Sequence, residues 1–85
     1  YPNPFNDKTS IKYQINKPGV YQLKIYDISG RLVKEILNEF HKIGNYVSVW
    51  DGFSASGKIM GSGIYLACFH NDEKTLKTRK IIKLK

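Results

Sequence analysis

Residues 47–65 read V-S-V-W-D-G-F-S-A-S-G-K-I-M-G-S-G-I-Y, and the fold turns on how this stretch is parsed. Its only tryptophan, Trp50, ends an alternating run in which Tyr46, Ser48 and Trp50 share one side and Val47 and Val49 the other, the period of a β-strand. Asp51-Gly52, Ser56-Gly57 and Gly61-Ser62-Gly63 then break the pattern, and the apolar run Ile64–Phe69 resumes it. Two strands joined by an irregular connector follow. A buried indole supplies more apolar area than any other side chain, so the remaining strands are expected to cover Trp50.

Working upstream, residues 9–16 place Ile11, Tyr13 and Ile15 on one face, and after Lys17-Pro18-Gly19 residues 20–27 place Tyr21, Leu23 and Ile25 inward. Ile28-Ser29-Gly30 is a tight turn. Residues 31–40 are ambiguous, because Leu32, Val33, Ile36, Leu37 and Phe40 also fit helical spacing. The short glycine turn and the neighbouring strands favour a strand. The two prolines in Tyr1-Pro2-Asn3-Pro4-Phe5-Asn6 exclude helix and make this a lead-in along the domain edge.

Downstream, residues 64–71 are apolar on both sides, which suits a central strand. Residues 75–85 form the last strand, with Leu76, Ile82 and Leu84 on one side and Lys77, Arg79, Lys83 and Lys85 on the other. The connector has room for an edge strand around Lys58-Ile59-Met60. No internal repeat stands out. The pattern predicts an all-β, seven-stranded antiparallel sandwich of the immunoglobulin or fibronectin III type, with residues 1–85 as one domain.

At 85 residues the chain has little room for a cleft, and its single cysteine, Cys68, forbids an internal disulfide. The formal net charge is +7, and the last twelve residues hold Lys74, Lys77, Arg79, Lys80, Lys83 and Lys85 with no acid. Such an end is compatible with a solvated strand face, or with attraction to nucleic acid, an anionic surface or an acidic protein. No apolar run approaches a membrane span. A start at Tyr1 with no signal peptide suggests a piece of a longer polypeptide.

The chain offers little to catalysis. His41 and His70 read as surface residues, Cys68 as a small buried apolar residue, and none has the spacing of a nucleophile with its base. Neither a metal site nor a cofactor is expected. Asp51 is better explained as closing a turn than as a calcium ligand, and the glycines at 57, 61 and 63 precede a strand, unlike a phosphate-binding loop. Without a recognition helix or an RNA-binding signature, no nucleic-acid partner is expected. A sugar platform built from Tyr21, Tyr26, Trp50 and Tyr65 competes with the reading of these rings as core.

Taken in order, Y-P-N-P-F-N at 1–6, L-K-I-Y-D-I-S-G-R-L-V at 23–33, G-N-Y-V-S-V-W-D-G at 44–52, S-G at 56–57, S-G-I-Y at 62–65 and R-K-I-I-K-L-K at 79–85 resemble the type A C-terminal sorting domain of the type IX secretion system. Less the terminal motif, the pattern is similar to the immunoglobulin-like domain of flagellar hook-capping proteins. Ile43-Gly44-Asn45 departs from the usual small residue, Gly and Thr or Ser before the tryptophan strand. The resemblance implies a non-catalytic secretion signal at the end of a larger cargo, which reaches the periplasm on an N-terminal signal. The outer-membrane secretion machinery would then recognise it, and in many members it is clipped off as the cargo joins a surface glycolipid. Carried over by motif, the recognition residues are Pro2, Asn3 and Pro4, then Gly63 and Tyr65, then Lys80, Ile81, Lys83 and Lys85. The product would be secreted or held at the cell surface. The alternative is a structural or carbohydrate-binding immunoglobulin-like accessory module of a secreted enzyme.

Overall fold

The computed structural model describes residues 4–5 and 7–84, and among these it contains strands, turns and no helix. The strands are β1 (Pro4–Phe5), β2 (Thr9–Ile15), β3 (Gly19–Asp27), β4 (Leu32–His41), β5 (Gly44–Trp50), β6 (Gly63–Asn71) and β7 (Thr75–Lys83). One sheet has the order β1-β7-β6-β3-β4 and the other is the pair β2-β5. All neighbours are antiparallel except β1 and β7, which run parallel through Pro4↔Ile82 and Phe5↔Lys83. Six long strands and a two-residue one thus replace the seven expected. The expected strand at residues 58–60 does not form, because the connector closes on itself through a single Phe53↔Ile59 bridge. It is fixed to β4 by the Ala55 amide donating to the Val33 carbonyl at 3.0 Å.

The sheets press alternate side chains together. Ile11, Ile15 and Trp50 come from the small sheet, and Leu23, Ile25, Val33, Tyr65, Ala67, Phe69 and Ile81 from the large one. Trp50 is fully enclosed, as its position in the sequence predicts; its indole N–H donates to the Phe53 carbonyl at 3.0 Å and its ring meets Tyr65 edge-on. Strand β6 lies between β7 and β3, the central place its two-sided apolarity implies.

The helix-like pattern of residues 31–40 has a local cause. Pairing between β3 and β4 slips twice, so that Leu23 faces Leu37 while Lys24 faces Glu35, and Ile25 faces Lys34 while Tyr26 faces Leu32. Ile36 and Val33 are the extra residues. Such bulges shift the two-residue alternation, so Val33, Ile36, Leu37 and His41 all reach the core side with the spacing of a helix face.

A repeat does exist, contrary to the sequence reading. Gly19-Val20-Tyr21, Gly44-Asn45-Tyr46 and Gly63-Ile64-Tyr65 each open a strand, and each tyrosine hydroxyl donates to the carbonyl four residues earlier: Lys17 at 2.6 Å, Lys42 at 2.7 Å and Gly61 at 2.7 Å. The ring ties the incoming loop to the strand start, as in the tyrosine corner of immunoglobulin-like domains. The Gly30 turn needs its glycine, with φ of +92°, and is closed by Asp27, whose carboxylate accepts from the Ser29 hydroxyl and from the Ser29 and Arg31 amides.

Candidate functional site

The described parts of three sequence motifs, Pro4-Phe5, Gly63–Tyr65 and Ile81–Lys83, meet at one end of the large sheet. Gly63 pairs with Lys83, Tyr65 with Ile81, and Pro4 with Ile82 from the other side. The end of β7 is therefore enclosed between β6 and β1. Proline is tolerated in β1 because this strand is the sheet's edge. Pro2, Asn3 and Lys85 lie outside the described residues.

The side chains at this clasp do not form an outward row of cations. Strand β7 is divided as the sequence indicates, but the side carrying Lys77, Arg79 and Lys83 is the inner one. Ile81 and Lys83 are buried, at 3% and 2% exposure, whereas Lys80 is exposed on the outer face opposite Leu66. Lys83 lies against Gly52, two residues past Trp50, and the alternation that buries Ile81 buries Lys83 on the same side. The Lys83 Nζ has no hydrogen-bond partner among the described residues. Its stem packs on Gly52, where a Cβ would sit 2.9 Å from the Lys83 Cε. Gly52 also has a φ of +82°, so both backbone and space demand glycine within the W-D-G motif. The adjacent Asp51 accepts from the Phe53 amide at 3.0 Å and pairs with Lys34 at 3.6 Å, closing the turn as expected. Gly52 was not among the sequence-derived candidates, although its place beside the tryptophan marked it.

Tyr65 is buried, and burial, with a smaller contribution from the Asp27 charge, pushes its phenol above the usual value. Together with buried Tyr21 and Trp50 it cannot make an exposed sugar platform; of the four rings proposed, only Tyr26 is even half-exposed. Cys68 is likewise not enclosed: it is half-buried on the outer face of β6, its Sγ 3.8 Å from the Thr78 hydroxyl. Neither histidine is a plain surface residue. His41 is buried at the end of β4, its Nδ1 donating to the Phe40 carbonyl at 3.0 Å and its Nε2 2.9 Å from the Tyr13 hydroxyl. His70 is half-buried, bonds Thr75 through Nδ1, and has an enclosed Nε2 without a partner among the described residues. Burial, then the nearby Lys24 charge, lowers its pKa.

A second feature lies along the other half of β7. Between β2 and β7 the sheets part into a cleft of about 210 Å³ floored by Tyr13 and Phe69 and edged by Lys12, Lys77 and Arg79. The Arg79 guanidinium crosses it, donating to the Lys12 carbonyl at 3.3 Å. Tyr21 stacks on Phe69 with ring centres 5.3 Å apart, extending the aromatic floor.

A model of the family described as "secretion system C-terminal sorting domain" matches residues 1–84. Among solved structures the chain is similar to FlgD from P. aeruginosa, with 26% sequence identity and a TM-score of 0.66 over 87% of this chain. It spans 58% of that FlgD chain. No match is found among curated proteins.

Proposed function

The chain belongs to the secretion system C-terminal sorting domain family, which serves type IX secretion, and from that premise we propose that the β1–β7–β6 clasp is the element its machinery recognises. Membership makes the product secreted or surface-located and implies two partners, the secretion machinery and a cargo on the same chain. The observation that carries the reading is the convergence of the three separated motifs at one end of one sheet, through Pro4↔Ile82, Gly63↔Lys83 and Tyr65↔Ile81. Buried Tyr65, Ile81 and Lys83 hold the strand and exposed Lys80 and Gly63 lie at its surface, while Pro2, Asn3, Pro4 and Lys85 enter the recognition set by motif alone. At the clasp the open backbone belongs to the edge strand β1 and the exposed charge to Lys80, and a partner reads the two by strand addition and charge complementarity.

In this reading the domain has no catalytic role and passes through the periplasm before crossing the outer membrane. Its removal accompanies attachment of the cargo to a surface glycolipid. The test fuses residues 1–85 behind a reporter exported to the periplasm of a host with this pathway. The reporter is expected outside the cell, with Lys80→Glu lowering export while leaving the domain folded. A reporter retained in the periplasm refutes the sorting role.

A further inference from the structure

The cleft between β2 and β7 is distinct from the clasp. Strand β7 is covered on its outer edge only at Ile82 and Lys83, so its backbone edge from Thr75 to Ile81 is unpaired among the described residues. Strand β2 pairs with β5 alone, and its open edge borders the same cleft. Two strand edges therefore flank one depression, the arrangement into which an extended chain inserts with its amides and carbonyls satisfied.

The lining specifies the chemistry of the occupant. Lys12, Lys77 and Arg79 border the cleft and its continuation toward β5, Lys17 borders its continuation toward β3, and no aspartate or glutamate lines any of these. None of the four cations takes part in an ion pair among the described residues, where the pairs are Arg31–Asp27, Lys34–Asp51 and His41–Glu39. The domain's acids lie elsewhere, with Glu35 and Glu39 on β4, Asp27 at the end of β3 and the rest outside the strands. Between the cations the floor is aromatic, with Tyr13 and Phe69 tilted together at 5.0 Å. A strand added to the edge of β7 would thus turn one set of alternate side chains inward, over the rings and beside the Lys77 and Arg79 that share that face, and the other set outward beside Thr78 and Lys80.

We propose that the β2–β7 cleft docks an extended segment of a partner protein in which acidic residues recur at alternate positions, added as a strand to the open edge of β7. The proposal deepens the reading of β7 as the recognised strand and rests on it. The stems of the segment's inward acidic residues lie over Phe69 and Tyr13, and their carboxylates meet Lys12, Lys77 and Arg79. Arg79, already tied to the Lys12 carbonyl, holds the two edges at a fixed separation, so little ordering is left to the binding step.

The test titrates the 85-residue chain with a decapeptide of alternating glutamate and valine, and in parallel with its lysine-valine counterpart, following backbone amide shifts. The acidic peptide is expected to bind, with shifts confined to residues 10–14 and 75–81, and to weaken as salt is raised. Lys12 and Lys77 are exposed, so the double variant Lys12→Glu, Lys77→Glu keeps the fold and binds roughly tenfold more weakly. Equal binding of the two peptides, shifts along β4 instead, or no binding overturns the proposal. Shifts produced by phosphatidylglycerol vesicles and not by the peptide also overturn it, replacing the protein partner with a lipid surface. Normal export of a reporter fused to the double variant would sink the docking groove alone, whereas retention of the unmutated fusion in the periplasm would sink the sorting role itself.

Discussion

Replacing Lys83 by methionine should stabilise the domain, an unusual direction for a change at a fully enclosed position. The stem of Lys83 lies in the core against Gly52, and its Nζ is enclosed without a hydrogen-bond partner among the described residues. A buried polar group left unpaired costs about 1–3 kcal/mol. Methionine keeps an unbranched apolar stem of similar reach and removes the amine, so Lys83→Met should gain about that amount. In a domain of this size it raises the thermal midpoint by roughly 4–24 °C. Lys83→Ala serves as the control. It removes three further methylenes at about 0.8 kcal/mol each, which offsets the gain and leaves stability near that of the parent. Urea unfolding followed by Trp50 fluorescence measures all three chains. A lower midpoint for Lys83→Met than for the parent would refute the reasoning, because it would mean the amine makes a favourable interaction that the methionine loses.

Gly52→Ala should destabilise by about 2–4 kcal/mol, since the new Cβ meets the Lys83 Cε at 2.9 Å on a backbone with φ of +82°; combining it with Lys83→Ala should recover part of the loss in the same unfolding assay. Tyr65→Phe deletes a hydroxyl that is buried and bonded to the Gly61 carbonyl, and should cost about 1 kcal/mol, more than Tyr46→Phe, whose hydrogen bond is exposed to water. Stability should also respond to pH through two groups, both lowered in the folded state. The Asp27 carboxyl is held below its ordinary 3.8 chiefly by the Ser29 hydroxyl and then by the Arg31 amide, so its contribution is present above that pH and lost as pH falls through the folded value; the gap between parent and Asp27→Asn should close there. His70 is lowered from 6.5 by burial, so the unfolded chain takes up its proton first and stability falls as pH drops below that value; His70→Gln should flatten this part of the stability profile.

The parts of the fold that were legible in the sequence are those governed by unbroken alternation. Ile11, Tyr13 and Ile15, then Tyr21, Leu23 and Ile25, and Trp50 all face inward as their spacing requires. Alternation alone does not say which side of a strand is inner when both carry mixed residues. On β7 the basic side was the natural choice for solvent, yet Ile81 and Lys83 go in because the core needs the isoleucine and the lysine stem is long enough to fill the space beside Gly52. The bulges at Val33 and Ile36 were hidden because a bulged strand and a helix share their spacing. The burial of His41 depends on Tyr13, which is 28 residues away in sequence, and no local pattern encodes that contact. Of the clasp, the motifs were visible and their meeting was not. The cleft cations were visible only as a basic end, since Lys12 and Lys17 come from the opposite end of the chain.

The two halves of β7 do different things, and this decides which truncation is informative. Its first half has an open edge and lines the cleft, whereas its last residues are enclosed by β6 and β1 and contribute Ile81 to the core. Removing Lys80–Lys85 deletes Ile81, the stem over Gly52 and the residues that pair β1. Burying one isoleucine is worth about 1.5–3 kcal/mol, and a small domain has only about 5–15 kcal/mol in all. Truncation should therefore lower the urea midpoint sharply as well as stop export, and loss of export alone would not separate a missing address from a missing fold. Lys80→Glu separates them. Lys80 is exposed on the outer face, so its reversal should shift stability by less than about 0.5 kcal/mol. If export falls while the unfolding curve stays in place, the strand is read by its surface. If export of Lys80→Glu matches the parent while the truncated chain fails only in proportion to its lost stability, Lys80 is not part of what the machinery reads.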